Sequence, residues 1–133
     1  MPYIVAYLAT ATIFLALDIF WLGGVAKEFY FGKLDGLIRE QPDLGVAGIF
    51  YAFYIAGVVF FAIVPALNGG GLGKAILYGA LLGLFAYGTY DATNLSTLKG
   101  WPRDVAIVDT IWGGFLTAAS AGAGYLAASR FIS

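Results

Sequence analysis

Apolar positions fall in four long runs, and the polar positions are confined to the short breaks between them. The runs reach from about Tyr3 to Val25, Val46 to Leu67, Ala75 to Leu98 and Val105 to Ala128. Each is near the roughly 20 residues that carry a helix across a hydrocarbon core of about 30 Å, so the pattern predicts four transmembrane helices. The second run holds no charge, and Pro65 near its end with Asn68-Gly69-Gly70-Gly71 after it predicts a tight turn. Spans two and three then form an antiparallel pair.

The break between the first two runs is patterned rather than random. Tyr30, Leu34, Leu37 and Ile38 recur at i, i+4, i+7 and i+8, while Glu28, Asp35 and Arg39 fall on another face. This predicts an amphipathic helix over about 26–41 lying in the membrane interface, ended by Pro42. The fold expected is an all-α integral membrane protein: one transmembrane domain over 1–133, a four-helix bundle with an interfacial helix between spans one and two.

Composition decides the solvent. Of 133 residues, 61% are hydrophobic and only 11% charged, a balance that suits a bilayer and not a water-soluble domain of this size. The net charge of -1, from seven basic and eight acidic residues, leaves no basic surface of the kind that binds nucleic acid, so no nucleic-acid partner is expected. Cysteine and histidine are both absent, which removes disulfides, thiol nucleophiles, thiolate metal sites, histidine-ligated haem and histidine bases. Chemistry is left to carboxylates, amides, phenols, indoles and a few cations. The residues name no cofactor and predict no metal site. The N-terminal run lacks a basic n-region and a persuasive cleavage site, and reads as a retained helix rather than a signal peptide.

Cations set the expected orientation. The breaks after runs one and three hold Lys27, Lys33, Arg39, Lys99 and Arg103, whereas the other side holds Lys74 and Arg130. By the enrichment of Lys and Arg in cytoplasmic loops, both termini should lie outside the cytoplasm.

Three acids interrupt the runs: Asp18, Asp91 and Asp109. At 1.5 Å per helical residue they lie roughly 6 to 10 Å beneath the same, cytoplasmic face, on three different spans. A central Asp costs about 2.5 to 3.5 kcal/mol on insertion scales, so the three should face inward. Each has a donor three residues on along the same helical face: Trp21, Asn94 and Trp112. Because the spans alternate in direction, Trp21 should sit nearer the surface and Trp112 deeper, one indole above the site and one below. The third break adds Lys99, Trp101 and Arg103 over the carboxylates. The candidate ligand-binding set is therefore Asp18, Trp21, Asp91, Asn94, Lys99, Trp101, Arg103, Asp109 and Trp112. A plainer account is also open, since polar side chains and interfacial aromatics hold membrane helices together without binding anything.

Small residues repeat at Gly79 and Gly83 and again at Gly114, Ala118 and Gly122, a spacing that permits close helix packing. Phe50, Tyr51, Phe53, Tyr54, Phe60 and Phe61 on span two read as lipid-facing or packed between helices, with a ligand wall as the lesser alternative. Gly69 to Gly73 is glycine-rich but lacks the Gly-Lys-Ser/Thr ending of a phosphate loop.

The motifs Leu17-Asp18-Ile19-Phe20-Trp21-Leu22-Gly23, Tyr90-Asp91-Ala92-Thr93-Asn94-Leu95 with Lys99-Gly100-Trp101-Pro102, and Val108-Asp109-Thr110-Ile111-Trp112-Gly113 resemble a bacterial family of small membrane proteins, domain of unknown function twenty-one seventy-seven. The likeness covers essentially the whole chain. It implies a four-span protein of the bacterial inner membrane and implies no activity.

Three function classes follow. The first is a binding module whose pocket takes a lipid-like or small amphipathic ligand, with carboxylates and indoles meeting a cation and Lys99 and Arg103 holding a phosphate. The second is an embedded lipid-modifying enzyme using one carboxylate as acid or base, or Asp91, Asn94 and Asp109 around a divalent cation. The third is an accessory subunit of a larger membrane complex, with the glycine rows and span two binding neighbouring helices. A membrane lipid is the expected partner; a homo-oligomer or larger complex stays open.

Overall fold

The computed structural model describes residues 2–25, 29, 32–33 and 44–130. Helix α1 (Pro2–Phe20) runs into a π-helical turn (Trp21–Val25). Helix α2 (Leu44–Val58) continues through a π-helical segment (Val59–Ile63) to a last turn (Val64–Leu67). Helices α3 (Gly71–Thr97) and α4 (Arg103–Ser129) complete the bundle. All four rods are long and apolar enough to cross a membrane, as Pro2–Gly24, Gly45–Leu67, Gly71–Thr97 and Arg103–Ser129. The interfacial helix expected over 26–41 lies outside the described residues apart from Phe29, Gly32 and Lys33.

Helix α3 starts at Gly71 rather than at Ala75, because in lipid every backbone group must bond within its own helix and a glycine-rich first turn is better helical than open. The turn before it uses φ of 147°, 108° and 67° at Gly69, Gly70 and Gly71, values that side-chain-bearing residues rarely adopt. In α2 the widened π turn falls just ahead of Pro65, which has no N–H to donate and whose ring would strike the preceding turn of a regular helix.

Helix α4 is the hub. More than half of its span is buried, against less than a third for each of the others. Its sequence explains this: Gly113, Gly114, Thr117, Ser120, Ala121, Gly122, Gly124 and Ala128 are all buried, while the exposed large residues Ile107, Ile111 and Phe115 recur every four positions as one lipid-facing stripe. A helix so rich in small residues can be approached from several sides at backbone distance, which is how helices associate in a solvent that offers them no hydrophobic drive.

The predicted small-residue rows lie in this packing. A Cβ on Gly79 would stand 2.9 Å from the Thr117 carbonyl oxygen and from Ala121 Cβ, and one on Gly83 would overlap the Gly113 carbonyl. Gly114 and Gly122 face Leu84 and Ile76 of α3. Two further glycines carry as much: Gly113 seats the Tyr87 ring, and Gly124 admits α1 at Ala6 and Thr10. Phe14, Ile55, Val58, Ile63 and Leu116 fill the rest of the centre. Outside, Ile4, Leu8, Ile19, Phe53, Phe60, Phe61 and Phe85 are exposed, an apolar girdle that belongs against lipid.

Candidate functional site

Helix α2 touches the bundle mainly through its π-helical segment and last turns. Its first half, Leu44–Val58, approaches α1 and makes at most marginal backbone contact with α3 and α4. Aromatic side chains bridge the resulting wedge, and a cavity of about 530 Å³ remains inside it. That size is within the range of small-molecule sites.

Four pairs spaced i, i+3 line the cavity, one pair from each helix: Asp18 and Trp21, Tyr51 and Tyr54, Tyr87 and Tyr90, Asp109 and Trp112. The spacing places both members of each pair on one helical face. The alternating chain directions bring the pairs to one level, near the end of α1, the start of α2, the end of α3 and the start of α4. Leu22 of the π-helical turn after α1, Val46, Ala47 and Phe50 of α2 and Ala86 of α3 complete the walls.

Phe14 and Thr117 anchor the deep side. The Phe14 ring meets those of Tyr51 and Tyr54 at 5.7 and 5.6 Å, Tyr54 meets Tyr87 edge-on at 6.2 Å, and the Tyr54 hydroxyl shares a 2.7 Å hydrogen bond with Thr117 Oγ1. Nearer the membrane face, the Tyr51 hydroxyl donates to Asp18 Oδ2 over 3.4 Å. Asp18 is only 9% exposed, and its other near neighbours are the Trp112 indole and the Asp109 carboxyl. The Trp112 N–H is buried beside it without reaching hydrogen-bond geometry.

Trp21 and Trp112 do not divide into a lid and a floor. Their rings stack at 4.3 Å with 9° between planes, forming a single wall. Side chains on a helix lean toward its N-terminus, so on the antiparallel α1 and α4 the outer indole leans inward, the inner one outward, and the two meet.

The remaining predicted residues lie beside the cavity and not among those lining it. Asp91, 1% exposed, faces α4, where Thr110 Oγ1 donates to its Oδ2 over 3.5 Å and the Asp109 carboxyl and Trp101 indole are close by. Asp109 thus stands between the other two acids, in contact with Asp91 and near Asp18. Asn94 sits by the Tyr90 hydroxyl rather than serving Asp91. Trp101 packs edge-on against Tyr90 at 5.8 Å and, with Trp21 and Phe29, covers Val105. Lys99 and Arg103 are exposed. Lys33, itself half exposed, pairs with Asp104 of the first turn of α4 at 2.7 Å. Among the described residues no three acidic groups converge closely enough to hold a metal ion.

Among the lining residues outside the predicted set, sequence reasoning passes over Tyr87 and Tyr90 and weighs Tyr51 and Tyr54 as a ligand wall only as the lesser alternative. Their signal was available: Tyr51 and Tyr54 on span two and Tyr87 and Tyr90 on span three repeat the spacing and level of the Asp–Trp pairs. Within the aromatic set of span two, the tyrosines turn inward while Phe53, Phe60 and Phe61 face lipid.

A family model described as "Predicted membrane protein (DUF2177)" matches residues 3–126. No curated protein and no solved structure matches the chain.

Proposed function

We propose, for a chain that belongs to the family of predicted membrane proteins DUF2177, that it is a small-ligand binding protein of the bacterial inner membrane. Its ligand is lipid-like or amphipathic and occupies the cavity between the first half of α2 and the ends of α1, α3 and α4. The observation that carries the reading is the chemistry of that cavity: aromatic walls for an apolar body, with Asp18 and Asp109 among them for a polar head. The cation bias along the chain supports an orientation with the cavity toward the cytoplasmic leaflet and both termini outside the cytoplasm. The accessory-subunit reading loses part of its support, because the glycines it would use to bind other helices are occupied within the bundle.

Native mass spectrometry after gentle extraction tests this, with wild type beside Asp18→Asn/Asp109→Asn and beside Ala86→Trp, which fills the cavity. A discrete small-molecule adduct on wild type and its loss from both variants is the expected result. A bare chain, or the same protein partner held by all three forms, overturns it.

A further inference from the structure

The wall chemistry narrows the ligand class. Asp18 is a buried acid whose near neighbours are the Tyr51 phenol, the Trp112 indole and another carboxyl, so no described cation balances it. Around it stand the stacked Trp21–Trp112 pair and the rings of Tyr51, Tyr87 and Tyr90, π faces of the kind that attract an ammonium group. No Lys or Arg is among the described residues lining the cavity, and Lys99 and Arg103, expected to hold a phosphate, are exposed outside it. An anionic head would therefore meet like charge, and an uncharged one would leave Asp18 without a counter-ion. The cavity also has a side route to lipid: Val46 and Phe50 line it while themselves being 66% and 59% exposed.

We propose that this site takes the ammonium group of a cationic or amine-headed amphiphile, with Asp18 as counter-ion and Trp21, Trp112, Tyr51, Tyr87 and Tyr90 as an aromatic box, the tail leaving between α2 and α3. The inference rests on the binding reading above and adds the sign of the head group. The ammonium has two chemical sources, a free cationic amphiphile or a phospholipid with an amine head.

Matched probes separate these ideas: dodecyltrimethylammonium, dodecyl phosphate and dodecanol, each titrated against the full chain in phosphatidylglycerol nanodiscs and read by native mass spectrometry. Wild type should retain the ammonium probe at least about tenfold better than the other two, in line with one desolvated cation–π contact plus an ion pair. Asp18→Asn, an isosteric change checked for unchanged helical signal, should remove that preference and keep dodecanol binding; Ala86→Trp should remove all binding. Equal retention of the three probes, or preference for the phosphate, overturns the cation proposal and leaves a binding cavity standing. No retention of any probe by wild type overturns both readings. Phosphatidylethanolamine added to the discs should compete if the source is a lipid head and should leave the ammonium signal unchanged if it is a free amphiphile; either supports the shared chemistry.

Discussion

The two ends of the α3–α4 pair are built on opposite principles. Along its middle, glycines let backbones meet: Gly79 and Gly83 leave no room for even one methyl group against Thr117 and Gly113. At the end holding the acids, large aromatics span a gap that the first half of α2 leaves open, and glycines there, such as Gly48, have nothing within 4 Å of where a Cβ would stand. In lipid, helices gain by close van der Waals contact and cannot draw on a hydrophobic effect between them. A bundle that packs tightly along one seam is thereby able to hold another region apart, and that region is where intramembrane acids can be shielded from lipid by aromatic side chains.

The contrast can be broken most severely at the seam. Gly83→Ala places a Cβ against the Gly113 carbonyl and should destabilise the bundle by about 3 kcal/mol, the upper end for overpacking, as read by detergent-denaturation of helical signal in mixed micelles. Were that variant as stable as wild type, the close approach of α3 and α4 would be wrong. Next in size, Tyr54→Phe removes the hydrogen bond to buried Thr117 where α2 is pinned below the cavity; the same titration should show a loss of about 1 kcal/mol.

The stacked indoles offer a finer probe. A double-mutant cycle of Trp21→Ala and Trp112→Ala should give a coupling of roughly 0.5 to 1 kcal/mol, whereas additive losses would mean that the rings do not meet. Smallest of all, Gly48→Ala on the open half of α2 should be neutral or stabilising by up to about 0.5 kcal/mol, because the methyl meets nothing and the helix gains propensity. A clear loss there would mean that the open end is covered by something that Gly48 accommodates.

The sequence carries the level of the candidate site and four of the residues that line the cavity, Asp18, Trp21, Asp109 and Trp112. Asp18, Asp91 and Asp109 share a level because helical rise and alternating direction fix depth from residue number alone. Depth is not azimuth, however. Which acids share a cavity depends on how each helix is rotated and tilted, and that is why Asp18 and Asp109 line it while Asp91 turns to Thr110 and Trp101. The same gap explains the lid-and-floor expectation for the indoles: counting residues placed their Cα atoms apart in height, and the opposite lean of side chains on antiparallel helices then brought the rings together.

The chain by itself determined its solvent, its four spans, the glycine turn between α2 and α3 and the small-residue character of α4, because hydropathy, rise per residue and backbone freedom are local properties. Only the tertiary structure decided that α4 is the hub, that the glycine rows are spent within the bundle, and that α2 stands away to open a cavity walled by one polar or aromatic pair from each helix. The physical reason is that helix packing in lipid depends on surface shape matched between distant segments, and shape complementarity of that kind is a property of pairs of helices that no single segment carries.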